Sequence, residues 1–187
     1  MEFAILSNKE DMILAKNKQT NQYKLNFNIS NNNVDLTKIV DDFKLWNLAF
    51  ELNKQYVKDF IITKEYENSI DCLFIFENIL KDYVKKSRYL YITVTREKID
   101  NKVIFHSKKC DAPLEEKYNF INELTRIKYD EETLIFTLND IHNGSVEKKF
   151  IVNLEEENLP IFAEDIVGIV IKKIFLSIKS FIEQLSI

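Results

Sequence analysis

Only two glycines, Gly144 and Gly168, occur in 187 residues, and that scarcity excludes more than any motif in the chain establishes. Phosphate loops of the GxGxxG or GxxxxGK[ST] kind need glycines at fixed spacing so that the backbone can approach a pyrophosphate, so nucleotide enzymes built on those loops are ruled out. The prolines are also two, Pro113 and Pro160, and no Pro/Gly/Ser-rich stretch divides the chain. Residues 1–187 are therefore expected to form a single α+β domain. Cys72 and Cys110 are too few for a disulfide scaffold and read as reduced thiols, one in a core helix and one at a strand end. Arginine is confined to Arg88, Arg96 and Arg126, and the net charge is -4, which argues against a nucleic-acid groove. No apolar run has the length of a membrane span, because residues 161–182 are interrupted by Glu164, Asp165, Lys172, Lys173 and Lys179. Glu2 stands where a signal peptide carries its basic region, so a cytoplasmic location is expected.

What is present is a chain 45% hydrophobic and 12% aromatic, enough to bury a sizeable core. Short strands are expected near 3–6 and 12–15, and a clearer one at 23–29, where Tyr23, Leu25, Phe27 and Ile29 alternate with polar residues. Asp35 is placed to cap a helix carrying Leu36, Ile39, Val40 and Phe43. Residues 45–63 fit either helix or strand, with the helix reading preferred for their first part. A helix from Ser69 to about Lys86 is expected to bury Cys72, Leu73, Phe76, Ile79, Leu80 and Tyr83. A hairpin turning at Asp100-Asn101 follows, then a helix opened by Pro113 with Leu114, Tyr118, Ile121 and Leu124 on one face. A second hairpin is expected to turn at Asn143-Gly144 in a type I′ geometry, with positive φ at both residues. The last helix starts at Pro160, preceded by Glu155-Glu156-Glu157, and its stripe runs Val167, Val170, Ile171, Ile174, Phe175, Ile178, Phe181, Ile182, Leu185. The expected architecture is an antiparallel sheet built from hairpins and packed against amphipathic helices, with the long C-terminal helix closing it.

Three constellations bear on chemistry. A two-residue turn at Asn143-Gly144 would pair Asp140 with Glu147 and set Lys149 beside them, which resembles the carboxylate plus Glu-x-Lys arrangement of PD-(D/E)xK nucleases. That resemblance covers about ten residues, and acid-x-Lys recurs at Asp42, Asp100 and Glu115. Cys72, His106, Cys110 and His142 are the right number of ligands for a structural zinc, with spacing that does not suit one, and Cys110 with His142 is a nominal nucleophilic pair. Ile166, Ile169 and Leu176 put a second apolar arc on the last helix, covered by another element or open to a partner or second copy.

The absences favour a non-catalytic protein-binding module of the adaptor, antitoxin or immunity type, without cofactor, masking a basic partner with an acidic surface. The alternatives are the metal-dependent nuclease at Asp140, Glu147 and Lys149, and a carrier of an apolar ligand. The carrier reading follows from architecture, since a long helix over a curved antiparallel sheet can enclose a cavity, as in helix-grip proteins.

Overall fold

The computed structural model describes residues 2–79, 86–152 and 162–186. Among these, ten strands form one sheet: β1 (Ala4–Lys9), β2 (Met12–Asn17), β3 (Gln22–Ser30), β4 (Val57–Glu65), β5 (Ser69–Phe76), β6 (Arg88–Ile99), β7 (Lys102–Lys109), β8 (Thr125–Arg126), β9 (Glu132–Leu138) and β10 (Asn143–Ile151). Their order is β1-β2-β3-β10-β9-β7-β6-β5-β4, antiparallel throughout, with the short β8 lying parallel beside β6. Three α-helices accompany them: α1 (Leu36–Val40), α2 (Lys44–Glu51) and α3 (Ala163–Gln184). The protein is thus dominated by a sheet that wraps around its last helix, not the expected alternation of hairpins and packed helices.

Two misreadings account for most of that difference. Ser69 to Phe76 is a strand, not the start of a helix, because both of its faces are buried: Ile70, Cys72 and Phe74 enter the main core, while Leu73 and Ile75 join Tyr91 and Cys110 in a second cluster on the opposite face. A continuously apolar strand mimics a helical stripe, and its β-branched and aromatic content is what separates the two. The end of that expected helix, with Leu80 and Tyr83, lies outside the described residues, as do Pro160 and Glu155-Glu156-Glu157. The helix expected after Pro113 is a 3-10 turn, Glu116–Glu123, whose neighbours Leu114 and Leu124 join Ile121 in covering the second cluster. Asp35 does cap α1, accepting from the Thr37 amide at 3.0 Å, and α2 ends before β4, which settles residues 45–63 as helix then strand.

The turns correct a third expectation. Ile99 pairs with Lys102, so Asp100-Asn101 is a two-residue turn. Asn143 and Gly144, in contrast, begin β10, and neither has a positive φ. Asp140 draws the chain round earlier, in a loop centred on Ile141, by accepting from the amides of His142 at 2.7 Å and Asn143 at 2.8 Å. The pattern of two positive φ values occurs instead at Glu10-Asp11, between β1 and β2. Gly144 serves close packing: a Cβ there would meet the Thr137 carbonyl at 2.9 Å.

Helix α3 crosses the concave face of the sheet and is fixed near its start. Lys16 donates to Asp165 at 2.9 Å, and the Tyr23 hydroxyl donates to the same carboxylate at 2.8 Å. Gly168 lies directly over the Tyr23 ring, where a Cβ would sit 2.8 Å from Cε1. One turn on, the buried Lys172 ammonium donates to Ser7 Oγ and the Lys9 carbonyl, each at 2.9 Å. Lys172 thus takes an inward position that the expected stripe left to apolar residues, while Phe181, expected inside, is 37% exposed.

Burial raises the Asp165 carboxyl, but the hydrogen bonds from Lys16 and Tyr23 and the Lys16 charge outweigh it and hold the group below its ordinary 3.8. A lowered folded-state pKa stabilises fully above the unfolded value and is lost as pH falls through the folded one. Asp165→Asn should therefore lose roughly 1 kcal/mol at neutral pH, and urea unfolding should show the gap to wild type closing as pH falls below the ordinary carboxyl range. Gly168→Ala gains about 1 kcal/mol of helix propensity but overpacks against a fixed ring at roughly 1–3 kcal/mol. A net fall in melting temperature is expected.

Candidate functional site

Between α3, α2 and the concave face of the sheet lies a cavity of about 240 Å³ with almost entirely apolar walls. Helix α2 supplies Trp46, Ala49 and Phe50, α3 supplies Ile171, Ile174, Phe175 and Ile178, and Phe74, Leu90, Ile92 and Leu134 come from the strands. Trp46 is held edge-on against Phe74 and Phe105, with ring centroids 6.2 and 6.0 Å apart. Phe175 lies 6.2 Å from Phe27 across the gap.

A buried ion pair is set into this lining, and the indole N–H of Trp46, also in the wall, is buried with no hydrogen-bond acceptor among the described residues. Lys148 on β10 donates to Glu132 Oε2 on β9 at 2.6 Å, and the two side chains are 9% and 10% exposed. Their inward direction follows from strand alternation, since Val146, Lys148 and Phe150 share the buried face of β10 and Glu132, Leu134 and Phe136 that of β9. The Lys148 ammonium also lies 5.8 Å from the Phe150 ring centre and 6.0 Å from that of Phe175. The Tyr129 hydroxyl reaches Glu132 and Ser107, and burial, with the nearby Glu132 charge, pushes it well above the ordinary phenol range. Tyr129 is a neutral donor here.

The residues singled out from sequence are not brought together. Glu147 faces Ile135 across the ladder and Lys149 faces Thr133, so Asp140 at the hairpin tip pairs with neither. Glu147 is held instead by Lys24 at 2.5 Å and Lys149 at 3.0 Å, and the nuclease cluster does not form. Among the described residues no group of three or more His, Cys, Asp or Glu side chains could hold a metal. Cys72 belongs to the main core and Cys110 to the cluster on the other face; His106 is 3.5 Å from Glu97; His142 Nδ1 lies 3.1 and 3.0 Å from the Asn31 and Val34 carbonyls. Burial pushes the Cys72 thiol up, away from the nucleophilic thiolate. Of the second arc on α3, Leu176 packs against the main core, Ile166 is half-buried and Ile169 is exposed.

The sequence matches no family profile and no curated protein. Solved structures do resemble it. The human StarD13 (DLC2) lipid transfer and protein localization domain superposes with a TM-score of 0.75 at 9% identity, over 98% of this chain and 90% of that one. Human StAR-related lipid transfer protein 5 gives 0.74 at 10% identity, over 96% and 86%. A fragment of the STAR-related lipid transfer protein from Xanthomonas axonopodis gives 0.67 at 12%, over 96% and 98%. The chain therefore has the helix-grip fold of StAR-related lipid transfer domains. That fold, with a cavity inside it, overturns the adaptor, antitoxin or immunity reading and its basic protein partner or second copy.

Removing one member of a shielded ion pair strands the other charge. Lys148→Met should cost about 3–5 kcal/mol, and adding Glu132→Gln should recover part of that loss. Glu147→Gln, one position away on the wet face, should stay within about 1 kcal/mol in the same urea titration.

Proposed function

We propose that this protein binds an apolar small molecule in the cavity under α3, as a carrier and not as a catalyst. The cavity itself carries the reading: its walls are mainly apolar, it is enclosed on three sides by α2, α3 and the sheet, and it holds a shielded ion pair. Ligand sites combine a mainly hydrophobic wall with a few placed polar groups in this way, at roughly 300–1,000 Å³. About 240 Å³ falls just under that range, which suits one chain or a small ring system rather than a two-chain lipid. The names of the structural neighbours, lipid transfer domains, support the same class of ligand.

Among the described residues no helix is long and apolar enough to cross a membrane. Cys72 and Cys110 are free thiols, which supports a reducing, cytoplasmic setting.

Ala49 lines the cavity from α2, so Ala49→Phe should fill the space without overpacking the sheet. Wild-type protein should bind the uncharged dye N-phenylnaphthylamine saturably with a rise in emission. The variant should lose that binding at least about tenfold, equivalent to about 1.4 kcal/mol, while keeping or raising its melting temperature. Equal dye binding by both proteins would place the ligand elsewhere.

A further inference from the structure

Resting on the carrier reading, the geometry points to a ligand that carries a carbonyl oxygen, received in the cavity by the indole N–H of Trp46. Trp46 stands on α2 and forms part of the cavity wall, and its Nε1 is buried without a hydrogen-bond acceptor among the described residues. Buried donors in folded proteins are nearly always paired, and an indole N–H can only donate. Asn17, Asp41 and Asn53 also bury a side-chain atom without a hydrogen-bond partner, but none of the three borders the cavity. At Trp46 an occupant of the cavity supplies what the fold leaves out.

The surroundings of the indole narrow the chemistry. Its ring meets Phe74 and Phe105 edge-on, with centroids 6.2 and 6.0 Å away, and Ala49 and Phe50, one turn on, continue the wall. These are carbon surfaces, and an aromatic face is at most a weak acceptor. A trapped water needs about two to four polar partners, which such surfaces do not provide. A hydroxyl accepts from the indole but brings a new donor into the same apolar setting. A ketone or ester oxygen accepts and adds nothing that must be satisfied in turn.

Trp46 is the only tryptophan in the chain, so its indole N–H gives a single signal in a proton–nitrogen correlation spectrum of the nitrogen-labelled protein. Nonane and the straight-chain nonanones differ by one oxygen, placed at successive carbons. At least one nonanone is expected to displace N-phenylnaphthylamine and to move the indole signal downfield of its position with nonane. Trp46→Phe removes the donor and should weaken displacement by that nonanone about fivefold more than displacement by nonane, the size of one neutral hydrogen bond. Loss of packing alone weakens both alike. If Trp46→Phe does not fold, the wild-type indole signal decides by itself. Nonanones that displace the dye yet leave the signal where nonane puts it overturn the inference, as does an equal loss for ketone and hydrocarbon in a folded Trp46→Phe. Either result leaves the apolar-ligand reading standing. If neither the dye nor any of these probes binds, that reading fails and the carbonyl falls with it.

Discussion

Helix α3 makes a direct backbone approach to the sheet where Gly168 rests on the ring of Tyr23. A hydrogen atom in place of a side chain lets the helix backbone touch the aromatic face, and the ring cannot yield. It is fully buried, stacked on Phe150 at 5.3 Å with the planes 12° apart, and tied by its hydroxyl to Asp165 on the same helix. Farther along α3 the inward residues are large, Phe175 and Ile178 among them. The far end of the helix is held as well, where the Asn31 side-chain amide donates to the Ile182 and Leu185 carbonyls at 2.6 and 2.7 Å. The cavity lies along the helix between these attachments.

The shielded pair at Lys148 and Glu132 works against stability in the usual reckoning. Bringing two charges out of water costs several kcal/mol each, and a well-packed apolar pair of the same volume is often as stable or more so. Here the ammonium has aromatic faces on two sides and the carboxylate has a tyrosine hydroxyl, so the pair is supported but not improved upon. Local rules of burial are broken most often where a protein has work to do. In a cavity lined mainly by apolar side chains, this pair and the buried indole N–H of Trp46 are polar groups that can orient a guest.

Individual elements were legible in the residues, the sheet-dominated architecture was not, and the failures have physical causes. Alternation at Tyr23, Leu25, Phe27 and Ile29 marked a strand, and the long apolar stripe with acids at its head marked α3. In the run Glu147-Lys148-Lys149 the acid-x-Lys pattern picks out the two outward residues and skips the inward one. Alternation with Val146 and Phe150 put Lys148 on the buried face, and the same count put Glu132 beside Leu134 and Phe136. That signal was readable along each strand, and the Asn143-Gly144 dipeptide drew the turn away from its place around Ile141. The cavity was foreseeable only as a consequence of helix over sheet, since no periodicity records how far apart two layers stand. Lys172 was hidden for a related reason: its acceptors, Ser7 and the Lys9 carbonyl, lie at the far end of the chain.

Those contacts join residues 163 and 165 positions apart, and β3 pairs with distant β10 as well as with its sequence neighbour β2. Such long loops must be closed before their contacts repay the lost entropy, so this topology belongs with slow folders. During synthesis α3 leaves the ribosome after every strand, and until it docks the concave face is an open trough of Phe, Ile and Leu facing water. The chamber is the last part of the molecule to come into being. In that interval the half-built sheet is most exposed to aggregation, and the compound it later encloses is also the one best suited to cover it.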